Sequence, residues 1–371
     1  MRSTGPLLLV NPGRRRDVTD ARPDGAPTEF HRRMPGYAPT RIVEAPGIAA
    51  DLGLAEVVVK DECGRLGLPS FKILGASWAI YRLLVARLGS EPQWRDLTDL
   101  RHVLEPLGPL TLVAATDGNH GRAVAHMARL LGYRARILVP AGTARARIDA
   151  IEGEGAPVTV VDGTYDDAVR ASAALASDDV LVVSDTSWEG YTEIPRTVIE
   201  GYATIFAEVD AQLPDARRPD VVVVPVGVGA LAAAVVRHYA AHATVIAVEP
   251  VSAACGLQSA AAGRPVVVPG PHESIMAGLN CGSVSIVAWP AIAAGVDIFV
   301  AVDDTAAEQA MRDLAAIGVV AGETGAAALA GLRAVVEADS LAGGGERRAL
   351  VLCTEGATDA DAYRRIVGRE P

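Results

Sequence analysis

The chain has 371 residues, half of them apolar and about a fifth charged, with 37 glycines and a net charge of −11. That length exceeds what one hydrophobic core usually spans and points to two domains of a soluble α/β protein. The acidic balance, with only four Trp, eight Tyr and four Phe, excludes a nucleic-acid footprint, and no apolar run reaches the roughly 20 residues of a membrane span. Leu7–Val10 is too short for the apolar part of a secretory leader, so a cytoplasmic location is expected.

In chain order, residues 11–36 carry the basic run Arg14–Arg16 and four prolines, and read as an arm lying over a domain. Strands are predicted at Val57–Lys60, Thr111–Ala115, Arg136–Val139, Pro157–Val161, Val180–Val183, Val221–Val224, Thr244–Val248, Ile298–Val302 and Ala349–Leu352. Helices are predicted between them at Gly75–Leu88, Asn119–Leu131, Ile194–Val209, Gly229–Ala241, Thr305–Ile317 and Thr324–Glu337, with Thr305 and Glu308 forming a capping-box signature. Short apolar runs alternating with helices predict parallel strands buried on both faces, with ligands bound where loops leave the carboxyl ends of strands. There is no internal repeat, and Gly343–Gly345 is the one low-complexity stretch.

Of 34 basic residues only two are lysines, Lys60 and Lys72. Lys72 is the one charge between Leu66 and Tyr81. An arginine there would serve solubility as well, but it cannot lose its proton and act as a nucleophile, whereas a lysine in apolar surroundings can. The competing reading is a lysine snorkelling from a helix start.

The four cysteines, Cys63, Cys255, Cys281 and Cys353, show no metal-type spacing, so no metal is expected. Cys255 and Cys281 bracket a Gly/Pro-rich segment and could approach each other.

Two loops bear on ligand binding. Gly227-Val228-Gly229-Ala230-Leu231-Ala232 follows a strand, opens a helix and has Glu249 about twenty residues on, which is the complete dinucleotide fingerprint and supports an NAD-dependent oxidoreductase. The same turn suits any phosphate, because it presents free amides and a positive helix end. The second loop, Thr116-Asp117-Gly118-Asn119-His120-Gly121, lies between a strand and a helix. Its glycines permit close backbone approach, and its hydroxyl and amide suit a carboxylate and a phenolic oxygen, although a capped strand-to-helix turn is also a sufficient explanation.

Taken together, Ser70-Phe71-Lys72-Ile73-Leu74-Gly75-Ala76, the Gly118-Asn119-His120-Gly121 loop and the later glycine turn resemble, in that order, the fold-type II pyridoxal-phosphate enzymes. The resemblance narrows to the diaminopropionate ammonia-lyase family through Pro35–Thr40, Asp185–Tyr191, Ile275–Leu279, Gly322–Ala326 and Thr354–Asp359, nearly the whole chain. It implies two domains, each a mostly parallel sheet flanked by helices, with the active site between them. The larger would take 1–75 and 196–371, and a small mobile domain 76–195. It implies pyridoxal 5'-phosphate linked to Lys72 beside Phe71, with Asn119 on its phenolate, Gly227, Val228, Gly229 and Ala230 on its phosphate, and Thr354 facing its ring nitrogen. Many relatives have four consecutive glycines at the phosphate turn; Val228 and Ala230 interrupt that run without removing backbone donors.

Thr116, Asp117, Gly118, His120 and Asp185 are implied at the substrate. Where relatives acting on serine or threonine have a small neutral residue, this chain has Asp117. A carboxylate there would repel an ordinary amino acid and suits one with a second ammonium. The implied reaction is α,β-elimination of 2,3-diaminopropionate to pyruvate and ammonia through an external aldimine and aminoacrylate. Lys72, Asp117 and Asp185 would be the catalytic groups, the two acids serving the D- and L-substrates. Alternatives are a dehydratase or β-replacement enzyme acting on serine, threonine or an O-activated serine, the NAD enzyme, and a catalytically silent relative. By analogy the protein would be a homodimer.

Overall fold

The computed structural model describes residues 6–15 and 25–371. The part of the predicted arm on 16–24, including Arg16, lies outside the described residues. The strands are β1 (Leu7–Val10), β2 (Ile42–Glu44), β3 (Glu56–Asp61), β4 (Thr111–Ala115), β5 (Arg134–Pro140), β6 (Val158–Val161), β7 (Val180–Val182), β8 (Val221–Pro225), β9 (Thr244–Pro250), β10 (Ile298–Val302) and β11 (Arg348–Cys353). One sheet runs β1-β10-β9-β8-β11-β3-β2 and the other β6-β5-β4-β7. The five inner strands of the first and all four of the second are parallel. Every residue of β8 and β10 is buried, which explains their continuous apolar runs.

The nine predicted strands are all present. Sequence reasoning missed β1 and β2, which pair antiparallel at the two edges of the large sheet. They are four and three residues long and only partly covered, so neither carries a buried apolar run to recognise.

The chain divides into two units. The larger takes Pro39–Gly64 and Ile205–Pro371 with the described N-terminal residues 6–15, and contains the seven-stranded sheet. The second takes Arg65–Thr204 with residues 25–38 and contains the four-stranded sheet, so Phe71 and Lys72 belong to it.

In the second unit the helices that matter are α1 (Lys72–Leu88), α2 (Asn119–Leu131), α3 (Arg145–Glu152), α4 (Tyr165–Ala173) and α5 (Glu193–Gly201). Close approach of α1 and α5 depends on two glycines. A Cβ on Gly75 would lie 2.6 Å from the Tyr202 ring, and one on Gly201 would lie 2.6 Å from the Leu74 carbonyl oxygen. Fully buried Tyr202 turns its ring onto Phe71, with ring centres 4.8 Å apart. The single helix predicted over Ile194–Val209 is therefore two, broken at Tyr202, with α6 (Ala203–Gln212) following.

The larger unit adds α7 (Ala230–Tyr239), α8 (Cys255–Ala262), α9 (Asp304–Ala316) and α10 (Glu323–Glu337). Helix α10 buries small residues against the sheet, and a Cβ on Gly331 would sit 2.2 Å from a Val248 methyl. Its neighbours Val221, Val223, Ile246, Val248 and Val300 form the core, each buried valine contributing roughly 1.5–3 kcal/mol. The predicted Thr305/Glu308 capping box is not formed. Asp303 takes the N-cap of α9 and accepts from the Ala306 amide at 2.9 Å, since aspartate two residues earlier satisfies the same first-turn donors. The capping box that does form was missed: Thr164 and Asp167 exchange bonds at the start of α4.

Candidate active site

Lys72 is the first residue of α1, and its amide donates to the Ser70 hydroxyl at 3.4 Å. Its side chain keeps about 20% of its surface, with Nζ 5.6 Å from the Phe71 ring centre. Nζ donates to Asp185 Oδ2 at 2.5 Å. Asp185 lies just past β7, is buried, and accepts the Tyr165 hydroxyl on Oδ1 at 3.2 Å. Burial works against its ionisation, but the Lys72 ammonium and the Tyr165 bond outweigh it and hold the carboxyl well below the usual range. Sequence reasoning did not name Tyr165. The signal available was Thr164 opening a helix with a tyrosine as its first residue.

The loop after β4 is shaped by Thr116. Its Oγ1 accepts the Gly118 amide at 2.9 Å and the Gly121 amide at 3.0 Å, so the hydroxyl expected at the substrate is committed to holding the turn. Gly121 must be glycine, because a Cβ would lie 2.3 Å from the Thr116 methyl. Gly118 has φ +143°, and Asn119 begins α2. His120 is buried and its Nε2 donates to the Val183 carbonyl at 2.8 Å, which leaves Nδ1 as a buried acceptor with no partner. Burial lowers its pKa, so it is neutral at physiological pH. Asp117 is pushed up to about 7, first by burial and then by Asp185 and Asp166, against the lowering charges of Arg147 and Lys72. One unit thus brings together a primary amine, an ionised acid, an acid that titrates near neutrality and a neutral imidazole.

In the larger unit, β8 ends in the Gly227–Ala230 turn and α7 begins at Ala230. Gly227 cannot carry a side chain, since a Cβ would lie 2.9 Å from the Gly278 carbonyl oxygen, and Gly229 has φ +94°. Val228 and Ala230 are buried. First-turn amides of a helix have no acceptor within it and suit an anion. Thr354 directly follows β11, and its Oγ1 is buried without a partner. Each feature fits one part of pyridoxal phosphate: in the larger unit a glycine turn at a helix N-terminus suits the phosphate and an unmatched hydroxyl a ring nitrogen, and in the second unit an amine suits the aldehyde.

The dinucleotide reading fails on Glu249. Its carboxylate is fully buried and caps α8 by accepting the Gly256 and Leu257 amides at 2.7 and 2.8 Å, so it is not available to a ribose. None of the four cysteines is in a disulfide. The Cys63 and Cys353 thiols, just past β3 and at the end of β11, lie 3.3 Å apart. Together with Asp61 they place ligand-type atoms within 4.8 Å of one another, but Asp61 is engaged by Arg41 at 2.8 Å.

Residues 33–355 match the family of pyridoxal-phosphate dependent enzymes. The diaminopropionate ammonia-lyase of Escherichia coli is 36% identical over 91% of this chain and 89% of its own length, and that of Salmonella typhimurium 34% over 91% and 90%. The solved E. coli enzyme in complex with an aminoacrylate-PLP azomethine reaction intermediate has a TM-score of 0.87 at 33% identity, covering 98% of this chain and 97% of that one. The chain belongs to the pyridoxal-phosphate dependent enzymes, in the diaminopropionate ammonia-lyase family. It is a fold-type II enzyme and a lyase that uses pyridoxal phosphate.

Proposed function

We infer that this chain eliminates ammonia from 2,3-diaminopropionate. The Cα–H and Cβ–N bonds break, and water then replaces the remaining nitrogen to give pyruvate and a second ammonia. The observation that supports this best is the pair of carboxylates around Lys72, Asp185 at 2.5 Å and Asp117 within its electrostatic reach. Two acids beside a substrate carboxylate are unfavourable for a monoamine and favourable for a diamine.

Pyridoxal phosphate, when bound, supplies the electron sink that makes the Cα–H bond acidic. Lys72 Nζ would hold its aldehyde, the Gly227, Val228, Gly229 and Ala230 amides its phosphate, Asn119 its phenolic oxygen, and Thr354 Oγ1 its ring nitrogen. The Phe71 ring supports the Lys72 ammonium. Asp185 is ionised and can accept a proton, and its basicity rises once the neighbouring Lys72 no longer carries its charge. Asp117, which titrates about 7, can take a proton and return it to the departing amine, a group that leaves poorly unless protonated. The two acids divide the D- and L-substrates between them. His120, neutral and with a bare Nδ1, accepts from a substrate ammonium and adds no charge. Gly118 and Thr116 keep the loop close enough for its backbone to receive the substrate carboxylate.

The same proposal sets the protein in the cytoplasm as a homodimer. Among the described residues no helix is long and apolar enough to cross a membrane. Light scattering tests the dimer, and pyruvate assays with diaminopropionate, serine and threonine test the substrate. Faster pyruvate release from serine than from diaminopropionate would overturn it in favour of a dehydratase.

A further inference from the structure

Arg147 lies thirty residues from Asp117 in sequence and carries no motif, yet it is built into the turn that presents that acid. It sits on α3 and is 8% exposed, unusually covered for an arginine. Its guanidinium donates to the Asp117 carbonyl oxygen at 3.2 Å. Its stem fills the space beneath the next residue: a Cβ on Gly118 would lie 3.2 Å from Arg147 Cδ and 3.5 Å from Cβ and Cγ. One side chain therefore both anchors the backbone and brings a positive charge within electrostatic reach of the carboxyl.

We propose that Arg147 is the positioning residue for Asp117, holding the 117–118 turn in place and keeping a positive charge within reach of this acid. The groups that face Asp117 are Arg147 from α3, Lys72 from α1, Asp166 from α4 and Asp185 from the segment after β7. Burial, Asp185 and Asp166 favour the protonated acid, while Arg147 and Lys72 favour the carboxylate, Arg147 more strongly. Lys72 is the residue assigned to the cofactor, so its charge is not a constant of the site. Arg147 is assigned no step of the reaction, and it is the fixed member of the balance. The inference rests on reading Asp117 as a proton carrier, which is part of the proposed function.

The test uses the holoenzyme of Arg147→Gln and Arg147→Lys, with rates followed against pH for both enantiomers. The enantiomer whose turnover is lost in Asp117→Asn reports on Asp117. In Arg147→Gln its acid limb is expected to move up by about one pH unit, so the rate drops roughly ten-fold below the limb and recovers above it. Arg147→Lys should restore most of the limb, and the other enantiomer should keep its profile. Arg147→Met preserves the apolar stem and serves if the glutamine variant does not fold. Unmoved limbs, or a loss uniform in pH and common to the lysine variant, would overturn the proposal. Carboxyl-carbon NMR of labelled aspartates, with Asp117→Asn to assign the signal, separates it from the substrate reading. A higher Asp117 midpoint in Arg147→Gln supports the role of Arg147 even if diaminopropionate yields no pyruvate, and an identical midpoint contradicts it.

Discussion

Lys60 and Lys72 are the two lysines of the chain, and they sit in opposite surroundings. Lys60, on β3, is fully buried and donates to the Thr40 carbonyl at 2.8 Å, to Glu208 at 2.8 Å and to Gln212 at 3.0 Å. Three acceptors match the three donors of an ammonium, and losing the proton would strand a buried carboxylate. Lys72 stands at a helix start, a fifth exposed, against the carboxylate of Asp185, which can serve as a proton relay when the amine reacts. Identical side chains thus differ in exposure: Lys60 is sealed among Thr40, Glu208 and Gln212, whereas Lys72 keeps a fifth of its surface, as the nucleophile proposed above requires.

Substitution at each lysine should separate the two roles. Lys72→Ala is expected to reduce elimination by at least about a thousand-fold, the scale on which losing a covalent participant acts, while the fold persists. Lys60→Met should do the reverse. It leaves Glu208 buried without its ammonium and removes about 3–5 kcal/mol of stability, read by denaturant unfolding. Turnover per folded molecule should remain within about two-fold. An inactive yet stable Lys60 variant would break the contrast.

Next in size are the two acids. Asp117→Asn and Asp185→Asn should each cost about 10²–10⁴ in turnover, for opposite enantiomers. Asp117 binds a proton as pH falls through about 7, so the enantiomer it serves should lose rate below that pH. Asp185 is held ionised well below the usual carboxylate range, so its enantiomer should show no limb near 7. Equal losses for both enantiomers in both variants would remove the division of labour. The smallest effect is expected at Thr354. Thr354→Val deletes a buried hydroxyl with no partner and should stabilise the cofactor-free protein by about 1 kcal/mol, while weakening cofactor retention several-fold. Thermal unfolding with and without pyridoxal phosphate reads both.

What the sequence made legible follows from which signals are local. The inner strands announce themselves because both faces are buried, whereas β1 and β2 are short edges with no such run. Lys72 stood out as a lone charge in an apolar stretch, and the 116–121 loop by its glycines. Arg147 beside Asp117, Tyr165 on Asp185 and Cys63 against Cys353 depend on tertiary proximity across 30, 20 and 290 residues, for which spacing offers no rule. Glu249 shows the converse case. It stands where a ribose-binding acid belongs, yet the local need to cap α8 claims it. The Thr116 hydroxyl, expected at the substrate, holds the loop through two amides.

The most direct measurement is the absorption spectrum of the purified holoenzyme before and after 2,3-diaminopropionate, with pyruvate assayed at the end. The account predicts a band at about 410–430 nm that is absent in Lys72→Ala, changes on adding substrate and is followed by pyruvate. No such band after reconstitution with pyridoxal phosphate, or a band that persists unchanged in Lys72→Ala, would contradict it.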